Sequence, residues 1–312
     1  MSTRRVTLLG GTGFVGTELV YRLAERFEQV VVLTRRAQRV RFLRVLPNVL
    51  ARETDVHDGA ALTDALEGSD LVVNLVGILN ESGSSTFASA HDELTGKVLA
   101  ACEAAGVPRY LHMSALNADA EGGSSEYLRS KGRAEDRVRA ADPALGWTIF
   151  RPSVIFGERD AFFNRFAGLL KLLPAFPLAV PEARMAPVWI GDVCRVMIDS
   201  IDDPTMTGET LHLCGPDRLT LRELVEYTAR TAGLKRWVIG LPDWAARLQA
   251  RSMELVPGKP FSRDNYLSLQ TDSVCPTDCP HQPTSIDAIV PRYLGRRDWA
   301  GRLQSRRAAA RR

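Results

Sequence analysis

The chain has 312 residues, 45% hydrophobic and 25% charged, with a net charge of only +3. That length supports one large α/β domain or two lobes with their own cores, and the near-neutral balance argues against a general affinity for polyanions. The longest apolar stretch, residues 169–181, holds Lys171 and three prolines, which excludes a membrane-spanning helix there.

Val6-Thr7-Leu8-Leu9 predicts the first strand. It runs at once into Gly10-Gly11-Thr12-Gly13-Phe14-Val15-Gly16, so Arg4-Arg5 and this short run are read as strand rather than secretory signal. A helix is predicted over residues 17–26. Strand, glycine turn and helix together form a phosphate-binding opening: glycines let the backbone approach a pyrophosphate, and helix-start N–H groups face the anion. Apolar strand-like runs then recur at residues 30–33, 71–76, 109–113 and 147–150, with helices predicted over 60–67 and 91–105. The alternation predicts an α/β, doubly wound parallel sheet with a smaller, mixed C-terminal lobe.

Beyond Gly157 the pattern is less regular. Residues 162–173 predict an amphipathic helix, and 188–193 begin a return to the first lobe. Residues 211–215 predict a late strand, and 220–232 a helix with Thr220 and Glu223 as a capping box. The nucleotide-binding domain is therefore expected at 1–157, completed by 188–214. A substrate or partner lobe is expected at 158–187 and 215–295, with a basic, disordered tail at 296–312 holding seven arginines and one acid.

The residue about twenty positions beyond the glycine turn reads the cofactor ribose. Here Leu33-Thr34 is followed by Arg35-Arg36, with no acid nearby in sequence, which predicts NADP(H) over NAD(H). A solvated basic turn is the alternative. Asp55 and Val56 are expected at the adenine end, and Asn74, Val76 and Gly77 along the central ribose and pyrophosphate.

Ser114 ends a predicted strand, and Tyr127 and Lys131, four apart, share one helix face. The ammonium lowers the phenol pKa and binds cofactor hydroxyls, Tyr127 exchanges a proton at a carbonyl, and Ser114 orients the substrate oxygen. These pieces, with Arg151-Pro152-Ser153-Val154-Ile155-Phe156-Gly157, resemble the extended or atypical short-chain dehydrogenase/reductase superfamily. A nearer resemblance is to the NADPH-binding accessory subunit of respiratory complex I and its bacterial relatives. It is carried by His112-Met113-Ser114-Ala115-Leu116-Asn117-Ala118, Tyr127-Leu128-Arg129-Ser130-Lys131 and Phe156-Gly157-Glu158-Arg159-Asp160-Ala161-Phe162-Phe163-Asn164, and covers roughly residues 4–240. The resemblance implies a Rossmann fold, tight NADP(H) binding that includes Pro152, and a partly structural use of the nucleotide. One departure is His91, where extended members often carry Asn; it holds a proton-relay water or is a packed helix residue.

Three functions follow: an NADP(H)-dependent oxidoreductase of a carbonyl/alcohol pair on a small hydrophobic substrate, a non-catalytic subunit or assembly factor of a membrane respiratory complex, and a sugar-nucleotide epimerase or dehydratase. Phe162, Phe163, Phe166, Leu169, Leu170 and Leu173, with Arg165 and Lys171 among them, either face a core or line a pocket, or dock on a membrane surface or partner. Cys275 to Cys279 with His281 lacks metal-knuckle spacing, so no metal is expected, and Asp192 is read as a helix N-cap. Five cysteines without disulfide-framework spacing point to a reducing cytoplasm, with peripheral placement at the inner face of the membrane as the variant. No nucleic-acid module is present in the sequence.

Overall fold

Valine- and leucine-rich segments that exclude water on both sides assemble into a parallel sheet covered by helices. The computed structural model describes residues 4–37, 40, 43, 45–83, 85–256, 260–277 and 279–295; the arginine-rich tail and Asp278 lie outside them. In chain order the elements are β1 (Arg5–Leu9), α1 (Phe14–Ala24), β2 (Gln29–Thr34), β3 (Val49–Glu53), α2 (Gly59–Leu66), β4 (Leu71–Asn74), α3 (Leu94–Ala104), β5 (Arg109–Met113), α4 (Glu126–Arg139) and β6 (Gly146–Pro152). Then come β7 (Ile155–Phe156), α5 (Phe162–Leu172), β8 (Ala175–Leu178), β9 (Arg184–Met185), β10 (Val188–Trp189), α6 (Ile190–Asp202) and β11 (Glu209–Leu213). The chain continues through β12 (Leu219–Thr220), α7 (Leu221–Thr231), β13 (Trp237–Gly240), α8 (Asp243–Met253), α9 (Arg263–Ser268) and α10 (Ile286–Leu294). It divides into two units, one running to Pro152 and including Val193–Leu213, the other comprising Ser153–Asp192 and the chain from Cys214.

The first unit holds a seven-stranded sheet in the order β11-β6-β5-β4-β1-β2-β3, every neighbouring pair parallel. The order steps outward from β1 in both directions, as a doubly wound Rossmann sheet requires, with the switch point between β1 and β4. Leu9, Val31, Leu62, Val98, Tyr110 and Ile149 form part of its buried core. Local chemistry moves two predicted boundaries. α1 begins at Phe14, because Gly13 already serves as its N-cap. β4 stops at Asn74, because the Asn74 side-chain oxygen accepts the Val76 N–H at 3.1 Å and turns the chain.

The second unit packs Phe156, Phe163, Leu170, Phe176, Leu224 and Val290 into a separate core. α5 buries Phe163, Ala167 and Leu170, and Phe162, Phe166 and Leu169 pack partly against the same core, so this helix is core-facing. Asp160 anchors its entrance: one carboxylate oxygen accepts the Gly157 N–H at 3.1 Å and the Tyr293 hydroxyl at 2.7 Å. The capping box at Thr220 and Glu223 is present. Asp192 is not a cap; it lies inside the first turn of α6, where its carboxylate accepts the Thr284 N–H at 3.1 Å. No described helix is long and apolar enough to cross a membrane.

Cys214 and Cys275 form a disulfide, against the expectation drawn from cysteine spacing. Their separation of 61 residues hides the pairing in sequence. Backbone pairing supplies the proximity: Ala186 N–H donates to Ser273 at 3.0 Å, and Gln282 N–H donates to Cys214 at 2.7 Å. The bond also occupies Cys275, and a disulfide between these cysteines does not fit the reducing cytoplasm expected from their spacing. Thiol titration of the unreduced, denatured protein should count three free thiols, Cys102, Cys194 and Cys279. Reduction should lower stability by about 2–4 kcal/mol in denaturant unfolding; five thiols before reduction would refute the bond.

Candidate functional site

The glycine turn is built by backbone closing on backbone. Gly13 N–H donates to Gly10 at 3.0 Å, and Thr17 Oγ1 donates to Gly13 at 2.7 Å. A Cβ on Gly16 would lie 2.3 Å from the Gly10 oxygen, so only glycine lets α1 start this close to the turn. Thr12 and Gly13 are exposed, Phe14 and Val15 half-buried, and Gly11 and Gly16 buried. No side chain caps α1 and its first turn holds no acid. Its leading N–H groups and dipole therefore fit an anionic pyrophosphate, which supplies the acceptors that the chain withholds.

Arg35 and Arg36 follow β2, both exposed, and among the described residues neither guanidinium forms an ion pair. Strand register adds a carboxylate that linear spacing hid: Glu53 of β3 pairs opposite Thr34, and its side chain accepts the Ala37 N–H at 3.4 Å. Asp55 is exposed just beyond β3 and accepts the His57 N–H at 2.9 Å, while Val56 packs partly on the core. Asn74, buried, also donates to the Tyr110 hydroxyl at 3.1 Å. Gly77 is exposed beyond it. Pro152 ends β6, and its carbonyl accepts the Leu116 N–H at 3.1 Å. A depression of about 650 Å³ lined by Arg5, Gln29, Asn48 and Val49 lies at the amino ends of β1 to β3, opposite the strand ends that bind ligands in such sheets.

Lys131 is buried on α4, and its ammonium donates to the Met113 carbonyl at 2.9 Å. Burial lowers its pKa to about 8, against a smaller opposing pull from Glu135. A Cβ on Gly77 would lie 3.4 Å from Lys131 Nζ and 3.6 Å from His91 Nε2, which puts the β4 exit directly against this pair. Ser114 follows Met113; its hydroxyl is buried with no hydrogen-bond partner among the described residues, while its N–H donates to Phe150 at 2.8 Å. Tyr127, half-buried, meets the rings of Phe87 and His91 edge-on at 6.0 and 5.5 Å.

His91 does not begin α3. It sits in a π-helical turn, Ala88–Glu93, that precedes it, a distortion common where a helix serves a site. Its Nε2 accepts the Ile78 N–H at 3.0 Å. Its Nδ1 lies 2.8 Å from Ser130 Oγ, whose hydroxyl donates to the Tyr127 carbonyl at 2.8 Å. The network therefore assigns one tautomer, with Nδ1–H donating to Ser130. Burial, then the Lys131 charge, lowers the His91 pKa to about 2, so the ring is neutral. This is the packed-residue reading, with the packing aimed at the site.

Two participants escaped the sequence reading as site residues. His112 is buried beside Tyr110, with Nδ1 3.2 Å from the phenol oxygen and Nε2 without a partner among the described residues, and burial with the Lys131 charge lowers its pKa to about 3. Glu135 is fully buried one turn beyond Lys131 and receives Arg151 Nε at 2.8 Å and Arg139 at 2.6 Å. The helical spacing of 127, 131 and 135 was the available signal. Gly132 completes the arrangement: a Cβ there would lie 2.2 Å from the Ala120 nitrogen, so α4 packs directly on the loop after Ser114.

The folded-state pKa of Lys131 lies below its ordinary 10.5. Folding therefore disfavours the charged form at neutral pH, and this cost fades as pH rises from about 8 to 10.5. Lys131→Met should raise the unfolding free energy of the nucleotide-free protein by about 1–3 kcal/mol at pH 7, with a smaller gain at pH 10. A variant less stable than the parent at pH 7, measured by denaturant unfolding, would refute the buried-charge account.

The sequence pattern of a family described as NAD(P)H-binding matches residues 10–161. The chain is 30% identical over 298 residues to mouse (Mus musculus) NADH dehydrogenase (ubiquinone) 1 alpha subcomplex subunit 9, mitochondrial, covering 90% of this chain and 77% of that protein. It is 29% identical to a Caulobacter vibrioides protein named ceramide reductase, covering 76% of this chain and 74% of the relative. The UDP-glucuronic acid 4-epimerase from Bacillus cereus, solved with UDP-glucuronic acid and NAD, superposes with a TM-score of 0.68 at 17% identity, covering 94% and 99% of the two chains; that likeness speaks to fold alone. Together with the glycine turn and the fold, these relations make the chain an NAD(P)H-binding member of the family of the complex I alpha subcomplex subunit 9 proteins.

Proposed function

We propose that the chain is an NADP(H)-dependent oxidoreductase acting on a carbonyl/alcohol pair. The observation that carries this reading is the buried, unpartnered Ser114 hydroxyl, one residue beyond the carbonyl that holds Lys131. A buried hydroxyl without a partner is unfavourable by about 1–3 kcal/mol unless something supplies one, and a substrate oxygen does. The nicotinamide, when bound, supplies or accepts the hydride at the substrate carbon. Tyr127 then donates its phenolic proton to the carbonyl oxygen, Ser114 donates a hydrogen bond to the same oxygen, and the Lys131 cation stabilises the phenolate left behind. His91 is a positioning residue, since it braces Tyr127 through Ser130. An apolar, lipid-like substrate is the class we favour, supported by the relation to a protein named ceramide reductase.

Arg35 and Arg36 would hold the 2′-phosphate of NADP(H), and Glu53 is the local opponent of that phosphate. Replacing both arginines by Ala should weaken NADPH binding by about tenfold or more, as loss of charge-assisted hydrogen bonds does, and leave NADH binding unchanged in titration calorimetry. Equal losses for the two nucleotides would remove the phosphate role. Pro152, Asp55 and Val56 belong to the same proposed cradle.

A second reading is favoured by the 77% coverage of the mouse relative: the nucleotide is retained as a structural part of a subunit or assembly factor peripheral to a membrane respiratory complex. The two separate experimentally. Tyr127→Phe should lower carbonyl-dependent NADPH oxidation by about 10²–10⁴ with nucleotide binding retained. Activity indifferent to that change removes Tyr127 as the acid. Retained NADPH without turnover over a carbonyl panel, with respiratory subunits recovered from membranes, would favour the structural role.

A further inference from the structure

In the second unit, Leu172 ends α5 and Leu173-Pro174 carries the chain into β8, which β13 joins in parallel with Trp237 opposite Ala175. Trp237 N–H donates to Pro174 at 3.2 Å, and Arg236 Nε donates to the Leu170 carbonyl at 2.6 Å. The guanidinium thus satisfies one of the last carbonyls of α5 and fixes that helix end beside the start of β13. Strand alternation turns Val238 toward the core and leaves Trp237 and Ile239 outside. Leu172 and Trp237 are each 78% exposed, and Leu173 and Ile239 on the same two segments are exposed as well. Isolated apolar residues on a surface need no explanation, but a cluster of this kind on a hydrogen-bonded tip does.

The two segments that form the tip carry charge of one sign, between the acids Asp160, Glu182, Glu226 and Asp243 that bound them in sequence. Residues 161–181 and 227–242 contain Arg165, Lys171, Arg230, Lys235 and Arg236 and no Asp or Glu. Lys171 and Lys235 are exposed next to the apolar side chains. A second copy of the tip would bring like charges together, and a protein partner would need an apolar pocket for Leu172 and Trp237 ringed by acids for the lysines. An anionic bilayer accepts both: Trp and Leu enter the headgroup boundary, while lysine stems lie along them with their charges among lipid phosphates.

We propose that this tip, formed by the end of α5 and the start of β13, docks the chain on an anionic lipid surface. The proposal deepens the membrane-association reading above and rests on it only for the premise that the chain works at a membrane. Sedimentation of the full chain with phosphatidylcholine vesicles, with and without phosphatidylglycerol, tests it. Binding should require phosphatidylglycerol. It should weaken at least about tenfold in a Leu172→Ser, Trp237→Ser double variant and about fivefold for each of Lys171→Ala and Lys235→Ala. Thermal melting and NADPH binding should be unchanged, because the substituted side chains stand in water.

Because residues 296–312 are also basic, vesicle binding that is unaffected by these substitutions would overturn the tip and assign the contact elsewhere, with the membrane-association reading intact. Absence of binding to either vesicle would overturn the tip; recovery of respiratory subunits from membranes would then keep the complex-association reading alive on protein contacts. A concentration-dependent dimer abolished by the same substitutions would also overturn the proposal, in favour of a second copy.

Discussion

The Lys131 ammonium is buried in the first unit with a backbone carbonyl as its hydrogen-bond acceptor, and its surroundings must avoid adding a second cation. Both nearby imidazoles are held neutral, His91 at about 2 and His112 at about 3. Each is also tied by hydrogen bonds that suit the neutral ring. The nearest compensation is Glu135, which is itself engaged by Arg151 and Arg139. The result is a cation retained in a low-dielectric setting and sensitive to whatever acceptor arrives. A ribose hydroxyl or a phenolate would be such an acceptor, so the same constraint would serve both the cofactor binding and the proton transfer proposed above.

That arrangement depends on three backbone surfaces meeting at short range. Gly16 lets α1 close on the turn, Gly132 lets α4 close on the loop at Ala120, and Gly77 leaves room before Lys131 and His91. The second unit is secured differently. An aromatic core under α5, the Asp160 clasp on Gly157 and Tyr293, and the Cys214–Cys275 bond hold segments far apart in sequence. Its apolar surplus is left at an edge held by the Arg236 and Trp237 hydrogen bonds, and an apolar edge with lysines on the same segments suits a surface with both fatty and anionic character.

Much of the first unit was legible because local periodicity and burial coincide there. The run at residues 109–113 could be read as a strand because it is buried on both faces, and the capping box at Thr220 because its chemistry spans only four residues. Glu53 escaped the cofactor argument because register, not linear distance, brings it opposite Thr34. The π-helical turn at His91 has no periodic signature, and it arises where that ring must reach both Ile78 and Ser130. The disulfide and the Asp192–Thr284 contact join residues whose proximity depends on the path of the whole second unit.

By itself the sequence determined the parallel sheet, the glycine turn between the first strand and helix, and the placing of Tyr127 and Lys131 on one helix. Each follows from chemistry confined to a strand, a turn or two helical turns. Only the tertiary structure decided that His91 is a neutral brace, that Ser114 is buried without a partner among the described residues, that Cys214 and Cys275 are bonded, and that Trp237 pairs opposite Ala175 just beyond the end of α5. Those features depend on burial and on contacts between distant segments, which set desolvation and hydrogen-bond partners and leave no local pattern in the chain.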